Sequence, residues 1–305
     1  MVSKRKKLHI FLSTFFLLIL LNPISAEMNT LQTNEVIVLF NGQIGNIAQE
    51  VTKVYPTVRA DLAGTFKWEV VFRPEVVLMN NRINFRKMVG NDIIVAFAIP
   101  NQNLIVLDTS RVYTKPFTLE STLKHELCHI LLHHNIESKR LPRWLDEGVC
   151  QWASGGIAEL MASDEDRAIA KASMSERLIK IGELERFPLD ERSLILAYQE
   201  SKSIVEYIVS EFGKQGILNV LEYLKEGYSV EDSIQKSLSI SLFELEKNWH
   251  AHLRRKHTWF SYFSNNLYTI LFFIAALATI YGFIRLLRKK KAYVDEDEEV
   301  NFHNK

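Results

Sequence analysis

His125, Glu126 and His129 spell H-E-x-x-H within residues 123–134. In a helix the two histidines form an i, i+4 pair on one face, so both imidazoles can offer a nitrogen to a single ion. Zinc suits such a pair. It takes neutral imidazole at about 2.0–2.1 Å, prefers four ligands at tetrahedral corners, and in catalytic sites keeps one of the four for water. Glu126 directly follows the first histidine, where its carboxylate can accept the proton that an activated water must lose. The plainer alternative is an amphipathic helix whose histidines are solvated or hydrogen-bonded. Leu123, Leu127, Ile130 and Leu131 recur at helical spacing, as a half-buried helix requires in either case. His133 cannot join the pair, because i, i+4 and i+8 of a straight helix span about 12 Å. It and His134 are expected behind the ligands or on the surface.

The next segment, residues 141–152, reads L-P-R-W-L-D-E-G-V-C-Q-W. Pro142 suits a helix start, and Trp144, Leu145, Gly148 and Val149 give an apolar face that can pack on the first helix. A second helix laid antiparallel to the first would deliver a carboxylate to the paired imidazoles. H-E-x-x-H at residues 125–129 followed by W-L-x-E-G at residues 144–148 resembles the gluzincin metallopeptidases, and more closely the peptidase MA-like group. That resemblance implies Glu147 as the third zinc ligand, with Asp146 the competing carboxylate. It also implies peptide hydrolysis by zinc-activated water, with Glu126 as the base. A third stretch, A-Y-x-x-S from Ala197 to Ser201, resembles the segment that brings a tyrosine toward the metal in that group. Tyr198 would there donate a hydrogen bond to the developing oxyanion, the alternative being a tyrosine packed in a helical core. Residues 241–249 match the end of the group's domain and set a boundary near His257. The metzincin pattern is excluded, because Leu132 and Asn135 stand where it needs glycine and a third histidine.

The elements needed to carry these residues are legible as an α+β pattern. Strands are expected at 35–40, 68–72, 76–79, 93–97 and 104–107, with helices at 44–55 and 84–89. After Trp152 the chain reads as helices only, at 157–162, 164–181, 194–212, 217–226, 230–237 and 242–255. The expected fold is therefore a zincin-like N-terminal half, with a small mixed sheet and the active-site helix, and an all-helical C-terminal half. By the same resemblance, residues 103–107 form an edge strand that holds substrate backbone by strand addition, with an ordinary interior strand as the alternative.

Lys4, Arg5, Lys6 and Lys7, the apolar run 8–21 and the polar stretch ending at Ala26 describe a signal peptide over residues 1–26. Residues 27–257 are then the exported domain. Residues 267–284 carry no charge, are long enough to cross a bilayer, and are followed by Arg285, Arg288, Lys289, Lys290 and Lys291. The positive-inside rule makes residues 258–287 a juxtamembrane and transmembrane segment and 288–305 a cytoplasmic tail. The net charge of +1 and the lack of a basic patch beyond the membrane flank argue against nucleic acid. The expected partners are a peptide or protein substrate and, through one C-terminal helix, a membrane. A second functional class, a zinc- or peptide-binding membrane adaptor that cuts nothing, would share the ligands but has no use for Glu126. Cys128 and Cys150, the two cysteines, are expected to be buried free thiols, with a bridge between the two helices as the alternative.

Overall fold

Strands β1 (Met28–Gln32), β2 (Ile37–Asn41), β3 (Glu75–Met79), β4 (Ala96–Ile99) and β5 (Leu104–Asp108) make one mixed sheet in the order β1-β2-β3-β5-β4. The structure is a computed structural model that describes residues 28–114, 117–155, 165–265 and 267–302. The signal peptide and the helix expected at 157–162 lie outside the described residues. The three inner strands β2, β3 and β5 run parallel, while β1 and β4 are antiparallel edges.

β5 corrects one expectation. Its sequence, Leu-Ile-Val-Leu-Asp, is buried at every position and paired on both sides, with Val76 of β3 opposite Ile105 and Phe97 of β4 opposite Val106. A continuous apolar run belongs to a strand covered on both faces, so residues 103–107 are interior and β4 is the edge. Residues 68–72 form no strand either. Their polar groups are taken up otherwise: Trp68 Nε1 donates to Glu222 at 2.9 Å, and Arg59 Nη2 donates to the Val70 carbonyl at 3.0 Å.

Helix α1 (Gly45–Phe66) runs straight on through Pro56, because Val58, Leu62 and Phe66 extend the buried stripe begun by Ile47, Val51 and Tyr55. The short α2 (Arg82–Val89) is capped by Asn81 and stopped by Gly90 at φ 78°. The two motif helices follow as α3 (Leu119–Asn135) and α4 (Arg143–Ser154). Beyond them lie α5 (Glu165–Met174), α6 (Glu191–Lys225), α7 (Val230–Leu238), α8 (Leu242–Asn265) and α9 (Leu267–Phe302). Two expected helices fuse into α6, interrupted at Gly213, whose φ 72° and ψ 169° are not helical. The chain divides into two compact units between Trp249 and His250. In the second unit, Leu267–Arg288 has a mean hydropathy of 2.2 with its side chains exposed, long and apolar enough to cross a membrane.

Candidate metal centre

The site is built by α3 and α4. The start of α3 is fixed by a reciprocal cap in which Thr118 accepts from the Ser121 backbone and the Ser121 hydroxyl accepts from the Thr118 backbone. From there the helix runs uninterrupted past His125 and His129, whose ring centroids stand 4.7 Å apart at 84°. Pro142 supplies the N-cap of α4, and Gly155 in the left-handed conformation ends it. Leu127, Ile130 and Leu131 of α3 and Trp144, Leu145 and Val149 of α4 are all essentially inaccessible, as two apolar faces packed on one another require.

Two further features hold α4 in place. Cys128 and Cys150 form a disulfide across the helix pair, with Cα atoms 5.4 Å apart, so the expectation of free thiols is overturned. The helix contact brings the two Cα atoms inside the distance a bridge needs, which linear spacing cannot reveal. On its other side α4 meets α6 at Gly148. A Cβ there would run into the Ser201 carbonyl and come within 2.8 Å of Val205 Cγ2. The glycine after Glu147 is thus a condition for helix contact.

Converging atoms define the centre. His125 Nε2 and His129 Nε2 are 3.1 Å apart, and Glu147 Oε2 stands 3.8 Å from the first and 3.5 Å from the second. Four ligands at about 2.1 Å in a tetrahedron stand about 3.4 Å apart, so this triangle matches one face of a zinc shell. Glu147 Oε2 is buried and makes no hydrogen bond, while Arg143 Nε lies 3.6 Å from the other oxygen. Of these three residues His125 is fully buried, and His129 and Glu147 are each 7% exposed.

Asp146, the competing carboxylate, faces the opposite edge of His129. Its Oδ1 is 2.8 Å from His129 Nδ1, and its Oδ2 is 3.0 Å from His133 Nε2. A carboxylate only accepts, so His129 carries a proton on Nδ1, and in the neutral ring Nε2 is left as a lone pair aimed at the centre. Burial works to lower the His129 pKa, but the carboxylates of Asp146 and Glu147 overcome it and hold the ring well above the usual imidazole range. For Glu147, burial opposes ionisation, and the neighbouring His129 and His125 with Arg143 hold the carboxyl well below the ordinary range. Two imidazoles and carboxylate charge converging in a buried space make a group that could hold a cation.

Glu126 is fully buried on α3 between the two histidines in sequence. Tyr198, on α6, is 3% exposed and packs its ring edge-on against Phe187 at 5.0 Å. Phe187 in turn lies under the Arg143 guanidinium at 4.4 Å, so Tyr198 connects to Glu147 through Phe187 and Arg143. The sequence reading did not single out Arg143, Phe187 or the Asp146–His133 pair. Arg143 had a local signal, since it sits four residues before Glu147 on the same helix. Phe187 had none, because it comes from an irregular segment. His134 belongs elsewhere, stacked on Phe72 with its Nε2 2.5 Å from Asn103 Oδ1.

No curated protein matches this sequence. Among solved structures, the chain is similar to a mutant form of the M1 zinc metallopeptidase from Deinococcus radiodurans. That match has 12% identity and a TM-score of 0.41, over 73% of this chain and 51% of the other. It is also similar to a functionally unknown conserved protein from Bacillus anthracis str. Ames, with 9% identity and a TM-score of 0.41 over 81% and 54%. The chain thus spans about half the length of these structures. The family profile of the Peptidase MA superfamily matches residues 88–255, more than half of the chain and all of both motif helices, and the chain belongs to that superfamily.

Proposed function

We propose that this protein is a zinc metallopeptidase of gluzincin type. In this reading α9 anchors it in a membrane, the peptidase unit faces away from the cytoplasm, and residues 288–305 form a short cytoplasmic tail. The observation that carries the enzymatic part is the triangle of His125 Nε2, His129 Nε2 and Glu147 Oε2, with edges of 3.1, 3.5 and 3.8 Å.

Zinc held by these three residues would polarise a peptide carbonyl and lower the pKa of water toward about 7. Glu126 accepts the proton that water gives up and returns it to the leaving amine. Asp146 keeps His129 in the tautomer that offers Nε2, and Arg143 draws one Glu147 oxygen aside so that the other faces the imidazoles. Tyr198 donates its phenolic hydrogen to the oxygen that becomes negative as the carbonyl is attacked. An extended peptide would lie along the outer edge of β4, which packs beside α3.

The test pairs zinc content with cleavage of a peptide library by the full chain and by its Glu126→Gln form. The expected result is stoichiometric zinc in both and turnover in the wild type alone, the variant losing about 10²–10⁴-fold or more. Full activity in the variant would remove Glu126 from the chemistry. Stoichiometric zinc without cleavage by the wild type would make the chain a zinc-binding adaptor.

A further inference from the structure

A second set of metal-ligating atoms lies on the Nδ1 side of His129. His129, Asp146 and Cys150 bring their ligand atoms within 4.8 Å of one another. Asp146 and Cys150 are i and i+4 on α4, as His129 and His133 are on α3, so each helix turns a two-residue chelating face toward the other. His133 Nε2 already stands 3.0 Å from the second oxygen of Asp146, next to this set. What the set lacks is its sulfur, because Cys150 is bonded to Cys128. A disulfide sulfur carries no thiolate, and the thiolate is the ligand.

We infer that the Cys128–Cys150 bridge masks a second, thiolate-containing metal site, and that reducing the bridge opens it at the expense of the first. The two sites compete for His129. When its Nδ1–H is given to Asp146, the ring offers Nε2 to His125 and Glu147; when Nδ1 binds an ion, the ring keeps its proton on Nε2. Reduction by a dithiol passes two electrons and two protons to the bridge, leaving two thiols here and a disulfide on the reductant. Cys150 then gives its proton to solvent as its sulfur binds the ion. A nitrogen, oxygen and thiolate set favours zinc, cobalt or copper over magnesium or calcium. The bridge therefore both ties α3 to α4 and keeps the metal on the Nε2 side of His129, with His125 and Glu147. The rivalry between the sites rests on the function proposed above, but the thiolate site does not.

Cobalt(II) titrated into the full chain reads the two sites separately, because only a thiolate ligand gives the intense sulfur-to-cobalt charge-transfer band in the near ultraviolet. The bridged wild type should bind cobalt without the band. Cys128→Ser, which leaves Cys150 as a thiol, should show it, saturating at one equivalent. The band should persist in Cys128→Ser/His125→Ala and vanish in Cys128→Ser/Cys150→Ser. Should Cys128→Ser not fold, a water-soluble phosphine acting on the wild type yields the same two thiols; it takes its oxygen from water and adds no thiolate. Absence of the band from every protein with a free Cys150 would overturn the inference, as would a band in the bridged wild type. If His125→Ala leaves cobalt binding by the bridged chain unchanged, the first site fails instead, whatever the thiol forms show.

Discussion

Among the described residues, two of the places that bury carboxyl groups treat them in opposite ways. Between α3 and α4, Glu147 and Asp146 lie against imidazoles and a guanidinium, and both are held below the ordinary carboxylate range despite burial. On α6, Glu200 is fully buried, but its neighbours are the Ile179 N–H at 3.1 Å and the carboxylate of Glu246, which itself accepts the Ile181 N–H at 2.8 Å. There burial raises the pKa to about 8, the Glu246 charge adds to the rise, and the Ile179 hydrogen bond only partly offsets it. Burial alone therefore does not mark a metal centre. What marks it is charge held in place with lone pairs aimed at one point, whereas Glu200 and Glu246 serve the backbone of the segment leading into Phe187.

The contrast can be broken most severely at Glu147. Replacing it with Ala should lower zinc affinity by more than the about 100-fold that loss of a supporting hydrogen bond costs, read by competition with a chromophoric chelator. A smaller loss would mean that the carboxylate is a neighbour of the ion and not its ligand. Asp146→Asn should come next, at about 10–100-fold, because the amide can donate and no longer dictates which His129 nitrogen carries the proton. Unchanged affinity there would separate the tautomer from the metal. Gly148→Ala tests the packing that aims Glu147 and should cost about 1–3 kcal/mol in denaturant unfolding, since the added methyl must displace the Ser201 carbonyl or Val205.

Glu200 gives the sharpest sign. Its carboxyl is protonated in the folded chain up to about pH 8, whereas in the unfolded chain it ionises near its ordinary value of 4.5. The unfolded state then binds fewer protons between these values, so stability declines as pH rises through that window, and the penalty is complete above it. Glu200→Gln keeps an acceptor for Ile179 without the charge. The difference in Tm, variant minus wild type, should therefore grow from pH 5 toward pH 8, and a flat difference would contradict the raised pKa.

The candidate centre was legible because its information is local. H-E-x-x-H places two histidines side by side by helical spacing, and the W-L-x-E-G segment brings a carboxylate on a helix whose start Pro142 announces. The sheet was half legible. Five strand-like runs could be marked, but their lateral order depends on contacts far apart in sequence. Residues 103–107 consequently read as edge or interior alike, and β5 lies inside, while 68–72 reads as a strand although Arg59 and Glu222 satisfy that segment. Helix α1 outruns the stretch 44–55 expected for it, continuing past Pro56. A proline usually ends a helix, but here the apolar stripe through Phe66 outweighs the lost hydrogen bond and α1 continues. The bridge between Cys128 and Cys150 stands in the sequence only as the alternative to free thiols, since it depends on the angle and depth at which α3 and α4 meet.

The reciprocal cap at Thr118 and Ser121 has an effect well beyond the first turn of α3. It sets the helix phase, and with it the direction of both imidazoles, through bonds that involve no metal at all. On the proposed function, the scaffold would then not depend on zinc for the start of this helix. Stripping zinc with a chelator should leave a folded apoprotein whose Tm drops only by the linkage owed to a lost ligand, and adding the ion back should restore the holoprotein without a refolding step.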